Sequence, residues 1–151
     1  MKAVIQRVNY AICRVNGNIT GQCNEGFLIM LGVHEDDTEA EAEILAQKIS
    51  KMRIFTDEND KMNLSIADIG GGVLCISNFT LCADARKGTR PNFMHAMKPE
   101  RANELYELFM SRLSETIPVE KGAFGEHMDI ESSLHGPITI VLDTNDFAKK
   151  V

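Results

Sequence analysis

The sequence predicts an α+β fold, a β-sheet carrying two main helices. Three observations point there. Apolar residues alternate or run unbroken in short segments near both ends, as in Val4–Val8 and Ile138–Leu142, which is strand patterning. Two segments, 37–52 and 99–113, switch to helical spacing. These helices do not alternate regularly with the strands, so regular βαβ repetition is not expected. The 151 residues fit one domain spanning 1–151, with no repeat, linker or low-complexity stretch. At 44% hydrophobic and 25% charged, the composition excludes disorder, collagen-like repetition and a coiled coil.

Residues 3–15 open as a strand. Asn16-Gly17 is a hairpin signal, since both residue types tolerate positive φ. Ile19–Cys23 returns as a short strand. Gly26–Val33 is a continuous apolar run and predicts a strand buried on both faces. Between Asp37 and Met52, the residues Ile44, Leu45, Ile49 and Met52 fall at helical spacing. Asp37 or Thr38 is the N-cap candidate, and early glutamates suit the helix dipole. Ile54–Phe55 continues as an extended segment before the polar turn Asp57–Asp60. After Gly70–Gly72, the β-branched and apolar stretch Val73–Leu81 predicts a strand. Pro99 sits at the first position of the second helix, where its missing N–H costs nothing. Ala102, Leu105, Tyr106, Phe109 and Leu113 give that helix an apolar face. Extended segments follow at Ile117–Val119 and Met128–Ile130, then a last strand at Ile138–Leu142. Lys149-Lys150-Val151 is expected to fray.

The net charge of −6 argues against broad electrostatic binding to nucleic acid. One local basic cluster stands apart: Arg86, Lys87 and Arg90. The apolar runs fall far short of the ~20 residues a membrane span needs, and the amino terminus lacks a signal-peptide h-region. The four cysteines form no CxxC pair and read as buried free thiols of a cytoplasmic protein. The histidines at 34, 95, 127 and 135 have no metal-ligand spacing and read as loop or surface residues, so no metal site and no cofactor is expected. Gly70–Gly72 runs into a strand, not a helix, and fails the context of a dinucleotide fingerprint. Ser77 and Thr80 lie at a strand end. Their hydroxyls suit either a cleft or local bonding to backbone, and no base is placed beside them. Gly136-Pro137, just before a strand, reads as a turn into an edge strand or as a cis peptide.

Taken together, ordered motifs along nearly the whole chain resemble the D-aminoacyl-tRNA deacylase family. They are Met1–Val8, Gly26–Val33, Lys48-Ile49, Arg53–Glu58, Lys61–Asn63, Ser77–Leu81 (family SQFTL), Lys87–Phe93 (family KGNRPSF), Leu105–Glu107, Phe124-Gly125 and Gly136–Thr139 (family GPVT). The resemblance implies a single compact domain with a mixed, barrel-like sheet and two main helices. It implies a homodimer with the active site at the subunit interface, acting on the acceptor end of D-aminoacyl-tRNA and on glycyl-tRNA. It assigns Ser77, Asn78, Phe79 and Thr80 to catalysis, with the RNA's terminal 2′-hydroxyl assisting water. Gly136 and Pro137, as a Gly-cis-Pro element steadied by Arg7, take chiral selection. Arg86, Lys87, Arg90, Phe124 and Met128 take tRNA binding.

Two departures stand out. Asn78 replaces the family's Gln, and Leu134-His135 replaces Asn-Asp before Gly-Pro. They leave room for a second reading, a relative that binds aminoacyl-tRNA or an amino acid without turnover. A third reading, an esterase or peptidase using Thr80, lacks an evident base.

Overall fold

The computed structural model describes residues 1–147. The fraying expected at 149–151 lies outside them. Strand β1 (Lys2–Val15) is the organising element. Along one edge it pairs antiparallel with β3 (Gly26–Gly32) over Lys2–Val8 and with β2 (Asn18–Cys23) over Ala11–Val15. Along the other edge it pairs antiparallel with β8 (Asp129–Asp143). Beyond β3 lie β6 (Gly72–Ser77) and β7 (Val119–Lys121). Strand β7 curls back toward β2: a Cβ on Gly21 would sit 2.2 Å from the Lys121 carbonyl oxygen, and the Gln22 N–H donates to Glu120 Oε1 at 3.1 Å. The sheet is therefore mixed and nearly closed, barrel-like.

Both β3–β6 and β6–β7 are parallel. Parallel neighbours need long crossovers. Helix α1 (Glu39–Lys51) supplies part of the first and α2 (Pro99–Leu113) the second. Two βαβ units thus sit beside the antiparallel pairings of β1, and the mixed sheet has no regular βαβ repetition throughout, as expected of an α+β fold. A small hairpin, β4 (Phe55–Thr56) with β5 (Met62–Leu64), interrupts the first crossover and hides its regularity in the sequence.

Strand β3 is buried on both faces, as its apolar run predicts. Phe27, Ile29 and Leu31 join Val73 and Cys75 of β6 in packing against the helices. Leu28 joins Leu74 and Ile76 in a second cluster with Val8, Ala11 and Cys13. Thr38, not Asp37, caps α1, and with Glu41 it forms a capping box: Thr38 Oγ1 accepts from Ala40 N at 3.3 Å and Glu41 Oε2 from Thr38 N at 2.6 Å. Asp37 instead receives the Met1 ammonium at 2.6 Å and the His34 N–H at 2.6 Å, almost fully buried. Breaking a buried ion pair costs about 3–5 kcal/mol. Asp37→Ala is expected to lower unfolding free energy by about 3 kcal/mol, read from denaturant midpoints.

Two segments differ from their predicted form. The strand expected over Val73–Leu81 ends at Ser77, and Phe79–Cys82 forms a 3₁₀ turn. The extended segments at 128–130 and 138–142 are one strand, β8, with Gly136-Pro137 inside it. The pairing passes from Gln6–Thr139 to Val8–Leu134, so residues 135–138 bulge opposite Arg7. The bulge breaks the alternation that would have announced one strand.

Candidate active site

The two parallel strands β3 and β6 end side by side, Leu31 opposite Ser77. Open α/β sheets bind ligands at the carboxyl ends of parallel strands. A cavity of about 200 Å³ lies there. Its walls include Val33 beyond β3, Ser77 at the end of β6, Asn78 and Phe79 beyond it, and Phe124 and Met128 from the segment between β7 and β8. Five residues that the resemblance named thus meet at one place: Ser77, Asn78, Phe79, Phe124 and Met128.

The 3₁₀ turn sets the chemistry of this rim. The Asn78 N–H extends the sheet to Leu31 O at 2.8 Å, and Leu81 N donates to Asn78 O at 3.2 Å. Between them, the N–H groups of Phe79 and Thr80 donate no hydrogen bond among the described residues. Such unpartnered amides at a turn can receive a developing negative charge. The Thr80 side chain is exposed and does not line the cavity; its hydroxyl donates to Asn78 Oδ1. The Asn78 amide nitrogen lies 3.6 Å from Met30 Sδ. Both ends of the shortened side chain are therefore occupied locally.

Tyr106 closes the floor. Sequence spacing marks it only as part of an apolar helix face, yet its hydroxyl donates to Cys75 O at 2.7 Å and its ring lies 6.0 Å from Phe124. Burial pushes its phenol well above the ordinary range, so it stays a neutral donor. Besides its place in the motif Leu105–Glu107, the signal was chemical: a buried tyrosine needs a partner for its hydroxyl. Burial likewise raises the Cys75 thiol and keeps it inert. All four cysteines are free; three are buried and Cys23 is partly so.

Arg7 is buried, 6% exposed. Its Nε donates to His135 O at 3.0 Å and its Nη1 to Ile54 O at 2.9 Å, with the guanidinium 5.9 Å from the Phe55 ring centre. It is thus tied to the residue preceding Gly136. The anchor is a main-chain carbonyl, so it survives the exchange of side chain at position 135. The Gly136-Pro137 bond is cis. Gly136 has φ +136°, and a Cβ there would meet Ile138 N at 2.8 Å and Ile138 Cγ1 at 2.9 Å. Neither Gly136 nor Pro137 lines the cavity of its own chain.

The basic cluster is split. Asp84 and Asn92 exchange two backbone hydrogen bonds and close the neck of an exposed loop. Arg86 grips Asp84 at 2.9 and 2.7 Å, which holds that carboxyl well below the usual carboxylate range. Lys87 and Arg90 form no ion pair among the described residues and stand exposed on the same loop.

A family model described as D-Tyr-tRNA(Tyr) deacylase matches residues 4–143. The chain belongs to that family. A D-aminoacyl-tRNA deacylase of Deinococcus deserti is 53% identical over 144 residues, covering 95% of this chain and 99% of the relative. One of Koribacter versatilis is 50% identical over 145 residues, covering 95% and 97%. A solved structure of a c-Myc DNA Unwinding Element Binding Protein superposes with TM-score 0.90 at 36% identity, covering 95% of this chain and 99% of that one.

The fold brings one further group of the family member together that spacing concealed. His34 and Glu35 follow β3, and His95 lies sixty residues from Glu35, yet their ligand atoms cluster. No helix of the described residues is long and apolar enough to cross a membrane.

Proposed function

We propose that the chain hydrolyses the ester of D-aminoacyl-tRNA, releasing D-amino acid and tRNA. The observation that carries this reading is the Ser77–Thr80 segment, with the unpartnered amides of Phe79 and Thr80, beside a cavity walled by Phe124 and Met128 in a member of this family. The cavity takes the terminal adenosine, with Phe124 and Met128 beside the base. The amides of Phe79 and Thr80 receive the oxyanion. An aminoacyl ester is already activated, so positioned water suffices. The Thr80 hydroxyl donates to the Asn78 amide oxygen, not to a base, among the described residues, which favours attack by water assisted by the RNA's 2′-hydroxyl over an acyl-Thr80 intermediate.

Selection of handedness falls to Gly136 and Pro137 of a second copy. D and L substrates carry identical groups, so only a fixed obstacle near the α-carbon separates them. If the main-chain carbonyls of Gly136 and Pro137 hold the ammonium, an L side chain is driven into backbone and a D side chain points outward. Glycine has nothing to reject and is accepted. A homodimer is supported by β8, whose outer edge has no partner among the described residues and whose Leu134 and Val141 are 45% and 70% exposed. A long uncovered edge strand invites pairing with another chain.

The test is deacylation of D-Tyr-tRNA, L-Tyr-tRNA and Gly-tRNA by the purified protein. Loss of the D and glycyl esters with retention of the L ester is expected. Retention of all three with measurable binding would mean a non-catalytic relative. On tRNA ending in 2′-deoxyadenosine the rate is expected to fall about 10²-fold or more; full activity there rules out RNA assistance.

Lys87 and Arg90 meet phosphates at the acceptor end. Lys87→Ala and Arg90→Ala are each expected to raise KM several-fold and to flatten its dependence on salt. Arg86→Ala is expected to do less, because Asp84 already holds that charge. Titrations of KM against ionic strength check both.

A further inference from the structure

We propose that His34, Glu35 and His95 form a binding site for a divalent transition-metal ion of zinc's class. One ligand atom from each lies within 4.8 Å of the other two. Ligands of a tetrahedral zinc ion lie about 3.3 Å apart, given bonds of ~2.0–2.1 Å. Small rotations of these side chains, all at least partly exposed, close the difference.

The backbone holds the three residues in place before any ion arrives. His34 and Ala96 form an antiparallel bridge. Glu35 N donates to His95 O at 2.8 Å and Met97 N to Val33 O at 3.0 Å. The two imidazoles stack nearly parallel, 5.6 Å between centres and 13° between planes. His95 Nδ1 already lies 2.8 Å from Glu35 Oε1. Two imidazoles and one carboxylate are borderline donors, which suit zinc, cobalt, nickel or copper(II) rather than calcium or magnesium. Three protein ligands leave at least one coordination position to solvent.

The position gives the ion a role. Val33 and Met97 both wall the cavity and flank the ligands in sequence, one directly before His34 and the other two residues after His95. A bound ion links the two loops and fixes that wall.

The experiment uses the full chain, stripped with a chelator and dialysed, then titrated with zinc ion by calorimetry and with cobalt(II) by visible absorption. One ion per chain is expected, with the ligand-field bands of low-coordinate cobalt and a melting temperature that rises with zinc. His34→Ala, His95→Ala and Glu35→Gln are each expected to weaken binding by at least the roughly 10–100-fold that even outer-shell partners can cost, and to abolish the thermal shift. Glu35→Gln keeps the size of the side chain and guards against loss of fold. His127→Ala, on a residue 92% exposed, is expected to bind as the unaltered chain does. Unaltered affinity in folded His34→Ala, His95→Ala or Glu35→Gln overturns the site, as does binding without a one-to-one endpoint.

Discussion

Gly136→Ala is expected to cut single-turnover deacylation of D-Tyr-tRNA about 10²-fold or more, the cost of misplacing a positioning group by roughly 1 Å. At φ +136° an L residue is strained, and the new Cβ would stand 2.8 Å from Ile138 N. The backbone must shift, and the carbonyls proposed to hold the ammonium shift with it. Stability is expected to fall by only about 1–3 kcal/mol, the ordinary cost of one strained residue. Arg7 still secures the His135 carbonyl and Ile54 from the opposite strand. The D-to-L rate ratio should fall together with the rate, since the same backbone serves both. A folded variant with unaltered rate and ratio would remove Gly136 from the site.

Phe79→Pro compared with Phe79→Ala isolates one backbone donor. Both lose the ring, which is 59% exposed and meets Phe93 edge-on at 5.3 Å. Only proline also loses the N–H. Position 79 opens the 3₁₀ turn, where proline fits and no internal hydrogen bond is lost. The proline variant is expected to be about 10²–10³-fold slower in kcat than the alanine variant, the usual cost of an oxyanion donor. Their KM values should agree. Equal kcat values would place the oxyanion elsewhere.

The fold was legible wherever local chemistry and burial agree. The start of α1 near Asp37 and Thr38, Pro99 at the start of α2, and the doubly buried β3 follow from adjacent residues, whereas the choice of Thr38 as cap and its box with Glu41 came from the structure. The parallel pairing was not legible, because it joins strands through long crossovers, the first of them interrupted by the β4–β5 hairpin. The end of β6 was misread for a similar reason. Phe79 and Leu81 have strand-like side chains, but Asn78 turns the chain so that its carbonyl accepts from Leu81. In the candidate site, the resemblance named Ser77, Asn78, Phe79, Thr80, Phe124 and Met128, and all of these but Thr80 line one cavity. Val33 and Tyr106 lie within family motifs and Met97 in none, yet none was assigned to the site, because local sequence does not say which residues wall a cavity. Arg86 is equivalent to Lys87 and Arg90 in the sequence, but in the fold Asp84 holds it.

By itself the sequence determined the helices, the central strands and the family, since each depends on residues near one another in the chain or on motifs in order. Only the tertiary structure decided which of them share a surface. It bent β8 around Arg7, set the Phe79 and Thr80 amides free, and drew His95 to His34 and Glu35. The reason is physical. Caps and alternation are satisfied within a few residues, whereas a cavity or a ligand cluster exists only after distant segments pack, and many sequences can bring the same backbone positions together.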